Sequence, residues 1–130
     1  MQTYPRGELA LVLDCVDLEL LAEFWCTALG SRRAGRIYEP YLSLLSLSGG
    51  PVVLLQRVPE PKGGGKNRIH LDLRTRDLNA EVKRLAQAGA EVLTMTPLME
   101  GGWHWHVLAD PEGNEFCVLQ PPTEHWADVI

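Results

Sequence analysis

The stretch GGWHWHVLADPEGNEFC, residues 101–117, gathers the side chains of this sequence best suited to chemistry. His104 and His106 stand two residues apart and alternate with Trp103 and Trp105. In an extended strand alternate side chains share a face, so the histidines take one face and the tryptophans the other. Two imidazoles on a strand can begin a metal site, but a structural or catalytic zinc needs at least a third protein ligand. The indole face instead offers broad apolar walls for a bound molecule. Which face looks into a site depends on the elements around the strand.

Other reactive residues are few. Cys15, Cys26 and Cys117 are an odd, widely spaced set without a CxxC pair, so no disulfide framework is expected and a reducing cytoplasm suits them. Cys117 and Glu115 lie two residues apart and share a strand face, which makes them potential co-ligands of a metal. Cys117 also reads as a small buried strand residue. The GGGK run at residues 63–66 lacks the G-x4-G-K-[ST] spacing of a phosphate loop and opens no helix, so a nucleotide site is not expected there.

The 130-residue length fits one domain with a real core. The apolar fraction is 45%, the charged fraction 22% and the net charge −5. That balance argues against nucleic acid or an anionic membrane surface as a partner. No apolar run approaches the ~20 residues of a membrane span. The opening MQTYPRGELALVLD has no basic-then-apolar secretion pattern, which again points to the cytoplasm.

Stepping along the chain, LALVLDCVDLELLAEFWCTALG (residues 9–30) is echoed by IHLDLRTRDLNAEVKRLAQAG (residues 69–89). Each copy has an alternating strand, a capping aspartate (Asp17 or Asp77) and a helix of about 12 residues that ends at Gly30 or Gly89. Leu18, Ala22, Trp25 and Leu29 form the apolar stripe of the first helix, with Leu78, Val82 and Leu85 as counterparts. Strands follow in both copies. The first has a weak strand at about residues 31–37, then YLSLLSLS and PVVLLQRV joined through Gly49-Gly50. The second has AEVLTM, then WHWHVLAD and EFCVLQ joined through DPEGN. The fold class is therefore α+β: two tandem βαβββ modules, at about residues 8–58 and 68–121, with a Pro/Gly linker at 59–67 and a tail at 122–130.

The repeat, the segment HLDLRTRDLNAEVKRL and the DPEGNEFCVL turn together resemble the vicinal oxygen chelate superfamily, which includes glyoxalase I, extradiol dioxygenases and bleomycin-resistance proteins. The resemblance covers about residues 8–121 and implies a single glyoxalase-like domain spanning the chain. It implies a barrel-like mixed sheet curved into a cup with helices outside, often completed by domain exchange or dimerisation. In metal-dependent members four positions on the first and last strands carry His or Glu. Here they fall on Ala10, on Val53 or Leu54, on His70 and on Cys117. Only His70 matches, so no metal cofactor is expected; a divalent ion, if held, would draw on His70, Glu115 and Cys117.

The register implied by the resemblance turns Trp103, Trp105 and Val107 towards the cup, and His104 and His106 away from it, to the surface or an interface. It also turns Asp14, His70, Asp72, Glu115, Cys117 and potentially Arg74 inward. Asp14, His70, Asp72, Trp103, Trp105, Val107, Glu115 and Cys117 are the expected ligand-binding residues. His70 is the candidate general base. An Asp72–Arg74 ion pair with a structural His70 is the plainer alternative. The expected function is binding of a small organic molecule by a homodimer, for sequestration or for metal-independent chemistry, with a metal-dependent lyase or isomerase of the glyoxalase type as the alternative.

Overall fold

Asp17 and Asp77 each open a helix by giving a carboxylate oxygen to an otherwise unpaired N–H of the first turn. Asp17 accepts from Leu20 and Asp77 from Ala80, both at 3.1 Å. Helix α1 runs Leu18–Leu29 and α2 runs Leu78–Ala88. Gly30 ends α1 at φ 64°, the left-handed geometry that glycine adopts without a Cβ clash.

The computed structural model describes residues 9–35, 38–47 and 49–125. The chain divides into two compact units that part between Pro61 and Lys62, inside the Pro/Gly stretch.

In unit 1, β1 (Ala10–Cys15), β2 (Ser31–Arg33), β3 (Tyr41–Ser46) and β4 (Val52–Arg57) form a sheet of order β1-β4-β3-β2. The β1–β4 pair is parallel and the others are antiparallel. Alternation sorts the two faces. Cys15, Leu42, Leu44 and Leu55 are buried together with Leu18, Leu21, Ala22, Phe24 and Trp25 of α1. Phe24 and Trp25 meet edge to face at 5.2 Å. The opposite sheet face leaves Val12, Tyr41, Leu45 and Val52 exposed.

In unit 2, β5 (Asp72–Arg74) pairs in parallel with β9 (Glu115–Gln120), and β9 pairs antiparallel with β8 (Trp103–Ala109). Two short strands share the far side of β8. Glu91–Val92 (β6) pairs with its C-terminal half and Leu98–Glu100 (β7) with its N-terminal half. Leu78, Leu85, Leu108, Phe116 and Val118 make the buried layer. The side-chain carbonyl of Gln120 reaches back to accept the Leu78 N–H at 2.9 Å, satisfying another orphan donor of α2.

Unit 1 therefore carries the βαβββ order of an α+β protein that the repeat implies, and unit 2 carries the same order with one further short strand, β7. Four local expectations change. The strand over AEVLTM is only Glu91–Val92, and β7 is a strand that the sequence reading does not place. The strand at about 31–37 is described only as Ser31–Arg33; residues 36 and 37 lie outside the described residues, as do residue 8 and the tail beyond 125. His70 precedes β5, because the parallel ladder begins at the Asp72–Cys117 pair. No helix among the described residues is long and apolar enough to cross a membrane.

Candidate ligand-binding site

The open face of the unit 2 sheet is built in rows across its strands. Asp72, Cys117 and Val107 are successive partners in one row, and Arg74, Leu119, Trp105 and Leu98 in the next. Glu115 pairs with Ala109 on one side of these rows, and Trp103 with Glu100 on the other. Strand parity thus puts the indoles, the thiol and the carboxylates on one surface.

That surface walls a cavity of about 680 Å³, within the usual range for small-molecule sites. Trp103, Trp105 and Val107 line it, with His70, Asp72, Glu115 and Cys117. Seven of the eight residues expected to bind ligand are therefore together. The eighth, Asp14, belongs to unit 1, where it lies exposed on β1, paired in register with Gln56.

His104 and His106 project from the other face of β8, but of the surface or interface role expected for them the surface part fails for His106. It is buried, 8% exposed, and its Nδ1 lies 2.7 Å from the Thr94 hydroxyl. Thr94 sits where the chain leaves β6 and before β7 begins. Its Oγ1 also accepts the Val107 N–H at 3.3 Å, filling a gap in the ladder. The imidazole is a polar plug in a wall, which the H-x-H spacing alone does not reveal.

The expected alternative of an Asp72–Arg74 ion pair is absent among the described residues. The Arg74 guanidinium lies over the Trp103 ring instead, 5.4 Å from its centroid. His70 is exposed, and no hydrogen bond from it to the chain is present among the described residues. An imidazole that acts as a base is ordinarily oriented by a second group, so this geometry suits a polar contact better than a poised base.

Cys117 lines the cavity half-buried. Burial, then the nearby Asp72 and Glu115 carboxylates, push its thiol pKa above the ordinary value. The thiol is therefore protonated at neutral pH, which makes it a poor nucleophile and a poor metal ligand. Of the four superfamily metal positions, Ala10 and Val53 or Leu54 carry no donor atom, and Cys117 is this protonated thiol. Among the described residues no three of His, Cys, Asp and Glu come together as a group able to hold a metal. The donor set does not fit a divalent ion, and the His70, Glu115 and Cys117 combination is not gathered.

Sequence reasoning missed Lys66, Leu98, Glu100 and Leu119, all of which line the cavity. Leu119 shares parity with Cys117 and was within reach. Leu98 and Glu100 sit on β7, whose signal is the Gly101-Gly102 pair. Both glycines have positive φ, 57° and 84°, and link Glu100 to Trp103 as a two-residue hairpin turn.

Residues 10–119 match the family model of the Glyoxalase-like domain. The chain belongs to this family. An uncharacterised protein of Mycobacterium bovis is 30% identical to this glyoxalase-like domain over 132 residues, covering 92% of the chain and 86% of that protein. Among solved structures, the fold is similar to a glyoxalase/bleomycin resistance protein/dioxygenase from Alicyclobacillus acidocaldarius, at TM-score 0.66 and 19% identity over 95% of this chain and 98% of that one. It is also similar to TnmS3, an antibiotic binding protein from Streptomyces sp. CB03234, at TM-score 0.64 and 19% identity over 92% and 99% of the two chains. At such identities the likeness speaks for the glyoxalase/bleomycin resistance/dioxygenase fold, whose members differ in chemistry.

Proposed function

We propose that this glyoxalase-like domain binds a small, largely planar organic molecule in the unit 2 cavity and acts by holding or sequestering it. The observation that carries the reading is the row of Trp103, Trp105 and Val107 on the same wall as His70, Asp72 and Glu115. Indoles supply contact area at little conformational cost, and a few polar groups fix orientation. The donor-poor metal positions favour binding over metal-assisted lyase or isomerase chemistry. TnmS3, of similar fold, is itself an antibiotic binding protein, which is consistent with a binding role here.

Within this reading Trp105 supplies stacking area, and His70 sets selectivity from the cavity mouth. A screen of planar organic molecules by indole fluorescence and calorimetry tests it. Trp105→Ala should weaken binding by about 1–3 kcal/mol while the fold persists, the range for a pocket aromatic outside the main core. His70→Ala should change the order of preference among ligands. Ligands that bind both variants as they bind the parent protein would place the site elsewhere.

A further inference from the structure

The charge on the cavity wall goes further than its shape. Asp72, Glu100 and Glu115 all line it, and Lys66 is the one lysine or arginine among its described lining residues. None of these three carboxylates has a hydrogen bond or ion pair to the chain among the described residues. Elsewhere the protein pairs its acids readily: Glu19 with Arg33, Glu39 with Arg57 and Glu81 with Arg84. The cavity carboxylates thus keep acceptor capacity for a ligand.

The aromatic part of the wall has a matching preference. The Trp103 ring already has the Arg74 guanidinium over it, so Trp105 is the indole left for a charge on the ligand. The negative face of an indole attracts a cation, and the attraction grows as water is excluded.

We infer that the cavity selects organic cations: planar or aromatic molecules bearing a protonated amine or similar group, which stack on the indoles and place their charge against Asp72 and Glu115. This rests on the cavity being the ligand site. A protonated amine gains charge-assisted hydrogen bonds from carboxylates that have no other partner among the described residues, whereas an anion meets like charge.

Two planar dyes of opposite charge test it. Proflavine is a cation at neutral pH and 1-anilinonaphthalene-8-sulfonate is an anion; both report binding by fluorescence, and calorimetry gives their affinities. Proflavine should bind at least about tenfold tighter than the sulfonate. The double variant Asp72→Asn, Glu115→Gln should lose about tenfold of proflavine affinity and none of the sulfonate affinity. Trp105→Ala should weaken both dyes. If the sulfonate binds as well as proflavine or better, or the double variant leaves proflavine unchanged, the charge selection is overturned. A Trp105→Ala effect would keep the cavity reading intact in that case. If neither dye binds, or Trp105→Ala affects neither, the cavity reading fails and this inference with it.

Discussion

The Thr94 hydroxyl meets Nδ1 of His106 at 2.7 Å and also accepts the Val107 N–H, so one side chain bridges the gap between β6 and β7. This contact sets the division of labour on β8. It fixes His106 into the protein on one side of the strand while Trp105 and Val107 face the cavity on the other.

Thr94→Val should therefore destabilise the protein by about 1–3 kcal/mol, because a buried imidazole nitrogen and a backbone N–H lose their partner without gaining water. Thr94→Ser, which keeps the hydroxyl, should recover most of the loss. Urea unfolding read by far-ultraviolet dichroism measures both. Equal stability of Thr94→Val and the parent would show that the contact contributes little.

Asp110 explains why the DPEGN turn is such a specific mark. Its Oδ1 accepts from the N–H groups of Glu112 and Asn114, at 2.9 and 3.0 Å, and its Oδ2 from the Asn114 amide at 2.9 Å. The residue is 3% exposed. Asp110→Ala leaves those donors unpaired beside the β8–β9 hairpin and should cost upwards of about 2 kcal/mol. Slower-protected amides in that hairpin should exchange sooner in the variant, and unchanged exchange would contradict the assignment.

Much of this architecture is legible because it rests on local rules. Aspartate caps, glycine stops and strand parity act over a few residues, and they locate both helices and the indole face. What escapes are pairings that depend on a partner strand. The three-residue β7 has too little alternation to stand out, and its Gly101-Gly102 turn has meaning only once β8 is in place. His106 reads as a surface residue because nothing in WHWHVLAD announces that Thr94, 12 positions earlier, will cover it. Arg74 likewise gives up the nearby Asp72 for an indole supplied by another strand.

The raised pKa of Cys117 makes a pH-dependent prediction with a definite sign. Burial and the Asp72 and Glu115 charges favour the thiol over the thiolate. Alkylation of Cys117 by iodoacetamide should be slow at neutral pH and accelerate only above the ordinary thiol range. Asp72→Asn removes one opposing charge, so it should lower the pKa and speed alkylation several-fold at pH 8. Because folding raises this pKa, the associated stabilisation is complete below the unfolded thiol value and is lost as pH climbs through the folded one. Peptide mapping separates Cys117 from Cys26, whose thiol is also pushed up by burial. A fast neutral-pH reaction at Cys117 would reject this account.

Self-association is the next expectation. In unit 1 the open sheet face exposes Val12, Tyr41, Leu45 and Val52, and β1 and β5 each end their sheets. Unpaired edges and apolar sheet faces favour burial against another surface, and a homodimer is the commonest solution. Sedimentation at micromolar concentration should give a dimer, and Val12→Glu should shift it towards monomer without loss of helical signal. A monomer throughout that range would end the expectation.

Metal content is the last expectation, and the ligand chemistry dictates it. A divalent ion at the superfamily positions would have one imidazole, from His70, two side chains without donor atoms and a thiol held protonated by its surroundings. Each lost ligand removes coordination energy, and forcing Cys117 to ionise adds a proton-release cost that grows as pH falls. Elemental analysis of protein purified without a histidine tag or chelator should therefore find no stoichiometric zinc, nickel, manganese or iron. Thermal unfolding should be unmoved by added zinc at concentrations that would saturate a tight site. One ion per chain that disappears in His70→Ala would overturn the argument and revive the metal-dependent reading. An ion retained in that variant but lost in His104→Ala would instead place a metal on the outer face of β8.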